Sequence, residues 1–249
     1  ILKTVIIIPA RYQSTRFPGK PLKKILNKEM IIWVAEVCEK VLSKKLVYIA
    51  TDDDRIHAKV KEFGFQTVFT SKDCLTGTDR LAEASKKINA DIYINVQGDE
   101  PLVKSDDIKK IIDYKIKYPD HVVCGYTEIS KNENPLNKNI PKVVLNENEE
   151  LMYISRSLVP GFKDENLSTE RKYFKQVCIY AFNKYELNKF SSLRKKSTIE
   201  KLEDIEILRF FELNIKIKMV KTSSESLAVD EKDDIKKVEQ FLNKWKKNL

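Results

Sequence analysis

The chain has 249 residues, 42% of them hydrophobic and 33% charged, which is enough apolar content for one sizeable core and excludes disordered or fibrous classes. No apolar run approaches the ~20 residues of a membrane-spanning helix, and Val5–Ile8, cut off by Pro9, is too short for the apolar part of a secretory leader. The net charge of +9 fits a nucleic acid, an anionic small substrate or a lysine-rich surface alike.

In chain order, Thr4–Ile8 (TVIII) reads as a strand buried on both faces, followed by a polar loop over Ala10–Lys28. Met30–Leu42 reads as a helix with an apolar first turn, and Leu46–Ala50 as a second strand. Asp52, Asp53 and Asp54 cap the next helix, in which Ile56, Val60 and Phe63 recur on one face and Gly64 ends the run. Gln66–Thr70, Asp79–Ile88 and Asp91–Val96 then give strand, helix, strand. A further helix follows Ser105, with Ile108, Ile111, Ile112 and Ile116 as its apolar stripe. This alternation predicts an α/β fold: a three-layer, doubly wound sheet whose ligands lie beyond the carboxyl ends of its strands.

Past residue 120 the pattern changes to shorter strands at Val122–Thr127, Lys142–Leu145 and Leu151–Ser155, with Lys131–Asn139 as an exposed loop. A strand at Gln176–Phe182, a helix over Ile199–Glu212, a strand at Ile215–Val220 and a helix over Glu231–Lys246 complete the chain. The expectation is one domain over 1–249, its pattern changing near residue 120.

The loop after the first strand holds the chemistry: Pro9, Ala10, Arg11, Ser14, Thr15, Arg16, Gly19 and Lys20 supply cations, hydroxyls and free backbone N–H groups suited to a polyphosphate. Neither the G-x-x-x-x-G-K-[ST] nor the G-x-G-x-x-G spacing is present, so P-loop and dinucleotide readings lose support. Asp99, after the fourth strand in Asn95–Pro101, stands where an active-site carboxylate belongs in this topology. Thr76–Arg80 (TGTDR) is a tight Gly-containing turn that can cap a helix through Thr78 or Asp79. Cys38, Cys74, Cys124 and Cys178 lie tens of residues apart without a C-x-x-C pair, so packing in a reducing compartment is the expectation. His57 and His121 stand in no catalytic pattern.

Seven segments in order, IPARYQSTRFPGKPL (8–22), ATDDDRI (50–56), TGTDRLAEA (76–84), NVQGDEPL (95–102), KVVL (142–145), YISRS (153–157) and VDEKDD (229–234), resemble the 3-deoxy-manno-octulosonate (Kdo) cytidylyltransferases. The resemblance implies the nucleotide-diphospho-sugar transferase (Rossmann-like) fold, with a mixed sheet. It also implies transfer of CMP from CTP to the anomeric hydroxyl of a 2-keto-3-deoxy sugar acid, for lipopolysaccharide or capsule, in a cytoplasmic homodimer that uses neither nucleic acid nor membrane, with 1–120 as the nucleotide-binding part and 121–249 as a smaller acceptor-binding and dimerisation part.

By matching, Lys20, Arg16 and Asp99 are catalytic, and Pro9, Ala10, Arg11, Ser14, Lys20, Thr76, Gly77, Thr78 and Arg80 bind the nucleotide. Asp99 and Asp230 hold Mg²⁺, and Gln97, Arg156, Gln176, Tyr180 and Glu206 meet the acceptor. Two positions depart from the family pattern: Gln176 replaces a histidine and Ile207 a glutamine, which leaves open Kdo or an analogue as acceptor. An acylneuraminate-type or other nucleotidyltransferase, and a non-catalytic nucleotide- or nucleic-acid-binding module, are the competing readings. The lysines outside these sites, Arg194–Lys195–Lys196 and the last helix among them, read as solvated surface.

Overall fold

The computed structural model describes residues 2–14, 17–161, 163, 172–223 and 227–247, the last three by backbone alone. Strand β1 (Thr4–Ala10) runs through the middle of the sheet. Its Val5 and Ile7 enter one apolar cluster and its Ile6 and Ile8 the other, so a continuous β-branched run becomes a strand covered on both faces.

The loop that follows contains a short 3₁₀ turn (Lys20–Leu22) and a hairpin of β2 (Lys24–Ile25) and β3 (Lys28–Glu29). Leu26 and Asn27 at its tip take positive φ, 47° and 67°. Two-residue strands carry no periodicity, which is why the sequence reads as plain loop there.

Helix α1 (Met30–Glu39) stops three residues before the expected Leu42. Then come β4 (Val47–Thr51), α2 (Asp54–Glu62), β5 (Gln66–Phe69), α3 (Gly77–Lys87), β6 (Ile92–Val96) and α4 (Ser105–Lys117). Asp53 caps α2 by accepting from Arg55 N–H, and Gly64 takes φ +75° after its end. In α4 the expected apolar stripe is interrupted: Ile116 is 50% exposed while Lys115 is 1% exposed. Lys115 Nζ donates to both Glu186 carboxylate oxygens, at 2.7 and 2.8 Å, and to the Pro119 and His121 carbonyls, so a buried cation with four acceptors replaces an apolar contact.

The remaining elements are β7 (Val122–Glu128), β8 (Lys142–Leu145), β9 (Leu151–Ser155), β10 (Phe174–Phe182), α5 (Lys184–Ser192), α6 (Thr198–Glu203), α7 (Leu208–Glu212), β11 (Ile217–Lys221) and α8 (Lys232–Lys247). Helix α5 was not expected, although its capping box, Asn183 with Glu186, is readable as N-x-x-E. The single helix expected over Ile199–Glu212 is two. Asp204 takes the left-handed conformation (φ 51°), and the chain turns so that Glu206 faces α3.

The main sheet runs β11-β7-β10-β6-β1-β4-β5, with β8 added to β10 and β9 to β8. β6, β1, β4 and β5 pair in parallel, while β10 lies antiparallel between β6 and β7. This is the expected three-layer, doubly wound mixed sheet. A third cluster joins Phe17, Ile25, Met30 and Leu102 to Val229, Val238 and Leu242. It docks α8 beside the first loop and thereby brings the far end of the chain back to β1.

Candidate active site

A pocket of about 240 Å³ lies beyond the carboxyl ends of β1 and β6. Pro9, Ala10, Arg11, Ser14, Lys20, Thr76, Gly77, Arg80, Gln97, Asp99 and Asp230 all line it, so most of the expected nucleotide residues and both expected metal ligands meet in one place. Thr15 and Arg16 lie outside the described residues.

The first loop is closed on itself. Gly19 N–H donates to the Tyr12 carbonyl at 2.8 Å; at φ +69°, a Cβ on Gly19 would stand 3.0 Å from the Tyr12 ring. That turn aims Lys20 inward. Its Nζ donates to Asp99 Oδ2 at 2.6 Å and to the Val229 carbonyl at 2.8 Å. Val229 N–H in turn donates to the Asp99 carbonyl at 2.9 Å. The Asp99 and Asp230 segments are thus stitched together through the backbone of Val229 and the ammonium of Lys20, although 131 positions separate them in the chain. Gly98 permits the approach: a Cβ there would lie 3.0 Å from the Pro9 carbonyl oxygen and 3.1 Å from Ile31.

Thr76 caps α3, accepting from Asp79 N–H at 3.1 Å and donating to Asp79 Oδ2 at 2.8 Å. Thr78 is buried, and its N–H is committed to Glu206 Oε2 at 3.0 Å, so within the chain it joins the nucleotide loop to the acceptor wall. Arg80, 3% exposed, donates to Thr70 Oγ1 and, at 3.3 Å, to Asp52 Oδ2. Only Asp53 of the acidic triplet caps a helix by its side chain; Asp52 orients Arg80, a correction to reading the triplet mainly as caps.

The pocket opens into a cleft of about 1030 Å³. Gln97, Arg156, Gln176, Tyr180 and Glu206, all five expected acceptor residues, line it. Gln97 Nε2 donates to Glu206 Oε1 at 3.4 Å, and Gln176 Nε2 to the Tyr180 hydroxyl at 3.1 Å. Burial raises the Glu206 carboxyl above the ordinary glutamate value despite hydrogen bonds from Thr78 and Thr76. Burial also pushes the Tyr180 hydroxyl and Cys178 thiol well up.

Arg156 spends one N–H on each of three backbone carbonyls: Glu203 at 2.5 Å, Lys138 at 2.9 Å and Asp204 at 2.9 Å. Two of its five N–H groups remain for a ligand. Ile207, by contrast, is 2% exposed in an apolar cluster and does not line the cleft, so only Gln176 of the two departures touches the acceptor side.

Three further features differ from the sequence reading. Lys131–Asn139 is exposed as expected, yet Asn132, Glu133, Asn134, Asn137 and Asn139 also line the cleft. Lys196 and Lys237, expected as solvated surface, line it too. Arg209 is fully buried beneath the site. It donates to both Glu200 oxygens at 2.7 Å and to Asp79 Oδ1 at 2.7 Å, with its guanidinium 3.8 Å from the Phe190 ring centre. Burial alone would favour its neutral form, but the two carboxylates hold it charged. An arginine amid Leu208, Phe210 and Phe211 signals such a role in sequence, though not its partners.

Asn95, wholly buried in β6 opposite Tyr180, has no partner for either amide atom. Cys74 is pushed up to about 12 by burial and burial likewise raises Cys38 and Cys124, so none of them is poised as a thiolate. His57 meets Thr67 and His121 meets Glu150; neither lines the pocket or the cleft.

The chain matches the cytidylyltransferase family model over residues 5–217. It is 38% identical to the 3-deoxy-manno-octulosonate cytidylyltransferase of Thermodesulfovibrio yellowstonii, over 97% of this chain and 99% of that protein. An 8-amino-3,8-dideoxy-manno-octulosonate cytidylyltransferase of a Shewanella species (strain W3-18-1) is also 38% identical, with the same coverage. The solved CMP:2-keto-3-deoxy-manno-octonic acid synthetase, complexed with CTP, superposes with a TM-score of 0.89 at 36% identity, covering 97% of this chain and 99% of that one. 4-Diphosphocytidyl-2C-methyl-D-erythritol synthase from Anaerococcus prevotii shares the fold at a TM-score of 0.62 and 14% identity, over 96% of each chain. The chain is therefore a nucleotidyltransferase and belongs to the 3-deoxy-manno-octulosonate cytidylyltransferase family.

Proposed function

We propose that this enzyme transfers CMP from CTP to the anomeric hydroxyl of 3-deoxy-manno-octulosonate and releases pyrophosphate. The observation that carries the reading is the placing of Lys20, Asp99 and Asp230 in one pocket between the first loop and the wider cleft. The anomeric oxygen forms a bond to the α-phosphorus of CTP, the bond to the bridging oxygen of the β-phosphate breaks, and the hydroxyl proton passes to solvent.

Negative charge grows on the bridging and non-bridging oxygens as the bonds exchange, so cations held in place before the reaction lower the barrier. Arg11 and Lys20 meet the triphosphate; Lys20 follows the developing charge because its Nζ sits at the junction of both segments. Thr76, Gly77 and Arg80 frame the nucleotide, and Gln97, Gln176, Tyr180 and Glu206 orient the sugar acid for in-line approach.

Asp99 and Asp230 suit Mg²⁺, which takes few carboxylates and completes its shell with phosphate oxygens and water. Both carboxylates line the same pocket, in segments joined by the Val229 N–H to Asp99 carbonyl bond. Bound there, the ion would neutralise phosphate charge and orient the nucleotide.

The proposal extends to a cytoplasmic homodimer feeding lipopolysaccharide or capsule synthesis. Support for the compartment comes from four free cysteines. Light scattering of the purified protein tests the dimer. Pyrophosphate release from CTP, dependent on Mg²⁺ and on 3-deoxy-manno-octulosonate, tests the activity. Equal release with ATP, or none with any keto sugar acid, overturns it.

A further inference from the structure

The outer part of the acceptor cleft, away from Lys20 and Asp99, is a polar wall fixed from behind. Lys142, fully buried, donates to the Asn137 and Arg156 carbonyls at 3.1 and 2.5 Å, and Arg156 holds the Lys138 carbonyl. The Asn132–Asn139 loop is thus pinned to β8 and β9 rather than left to adapt. On this wall Glu133 pairs with Lys175, and accepts from Ser130 N–H at 3.0 Å. Asp204 pairs with Lys196 at 2.5 Å. Lys175 and Glu133 are largely shielded, their side chains 14% and 28% exposed.

We propose that the Glu133–Lys175 ion pair determines acceptor specificity, selecting a sugar acid whose far end is a neutral hydroxyl over one whose far end is an ammonium. The inference rests on the cytidylyl-transfer reading. The reacting oxygen is on C2 and must reach the α-phosphorus in the inner pocket, so the C8 end of an eight-carbon acid extends out along the cleft towards this wall. Each of the wall's two carboxylates already has a lysine partner. The wall therefore offers an ammonium no carboxylate without a lysine already on it, while the cleft's other carboxylates, Glu100, Glu206, Asp230, Glu231 and Asp234 among them, belong to other parts of the cleft.

An incoming ammonium would lose hydration and have to compete with Lys175 for Glu133 and with Lys196 for Asp204. A hydroxyl gives up far less and shares a hydrogen bond with either partner. The relatives at equal identity act, by their names, on acceptors with and without the 8-amino group, so overall similarity does not settle this choice.

The test compares kcat/KM for 3-deoxy-manno-octulosonate and its 8-amino-3,8-dideoxy analogue. The unaltered enzyme should favour the hydroxyl acceptor by about tenfold or more. Lys175→Met, which leaves Glu133 without its partner, should move the ratio towards the amino acceptor by about tenfold, whereas Lys175→Arg should keep the original preference. A wild-type preference for the amino acceptor overturns the proposal, as does an unmoved ratio in a Lys175→Met enzyme that still melts cooperatively. If neither acceptor yields pyrophosphate, the transfer reading itself falls and this inference with it.

Discussion

The two halves of this molecule build their parts of the site by different means. In the first, three short segments at the ends of parallel strands, 9–14 with 20–21, 74–80 and 97–99, supply most of the inner pocket. The doubly wound topology puts those strand ends side by side, and bonds within the pocket, from Lys20 to Asp99 and Val229 and from buried Arg80 to Thr70 and Asp52, then fix its loops. In the second, the wider cleft draws on 132–141, 156, 175–180 and 204–206, carried by β10 inside the main sheet, the shorter β8 and β9, a broken helix and a loop. Outside β10 these pieces are short, and buried charges fasten them: Lys142 to the 137 and 156 carbonyls, and Arg209 to Glu200 and Asp79. A parallel sheet brings its strand ends together by topology, whereas the irregular segments lean more on buried charges.

The sharpest way to break this contrast is Arg209→Met. It strands the Glu200 carboxylate, 1% exposed, and removes the Asp79 partner, so stability should fall by about 3–5 kcal/mol. KM for CTP should rise as well, because Asp79 also holds Thr76; denaturant unfolding and steady-state kinetics read both. An unchanged midpoint would mean that the acceptor half is not held by charge.

On the nucleotide side, Lys20→Ala should leave the fold intact but lower kcat by about 10²–10³, roughly 3–4 kcal/mol of barrier, with a far smaller change in CTP binding. Comparing kcat with a direct CTP titration checks it. Gly98→Ala should cost about 1–3 kcal/mol, seen as a lower melting temperature and weaker CTP binding, since the new methyl meets backbone at Pro9 and a packed Ile31.

The smallest effect is at the junction of the halves. Because burial raises Glu206, the folded protein keeps its proton at a pH where the unfolded chain has lost it. Stability attributable to Glu206 therefore declines as pH rises above about 4.5 towards the folded value. Glu206→Gln keeps an acceptor for Thr78 N–H but cannot titrate, so its stability relative to wild type should improve with rising pH. Urea unfolding from the acid range to neutrality follows this.

Much of the first half was legible in sequence. β1, β4 and β6 fall within a residue or two of the runs that announce them, because a parallel strand covered on both faces is almost continuously apolar; β5, at the sheet edge with only Val68 buried, falls as close without that reason. The pocket lining was legible for a related reason: Arg11, Ser14, Lys20 and Thr76, which share one pocket, lie in short segments whose order along the chain is itself diagnostic of the family. The misses fall in both halves. The two-residue strands of the hairpin have no period to detect, Ile116 stood where Lys115 is buried, and the break at Asp204 follows from Glu206 reaching α3, a contact between positions 78 and 206 that no local pattern encodes.

By itself, then, the sequence determined the strand-and-helix alternation, the cationic first loop, the carboxylate after β6 and the family these belong to. All are written in local runs, because hydrophobic periodicity and short motifs depend on neighbours along the chain. Only the tertiary structure decided that Asp230 joins Asp99 through Val229 and Lys20, that Ile207 is core while Gln176 lines the cleft, and that lysines expected at the surface pair with carboxylates on the cleft wall. Those outcomes depend on distances between remote segments, set by which apolar faces pack together. The +9 charge accordingly belongs in part to specific partners, at the triphosphate loop and in buried or cleft-lining ion pairs, rather than to a uniformly solvated surface.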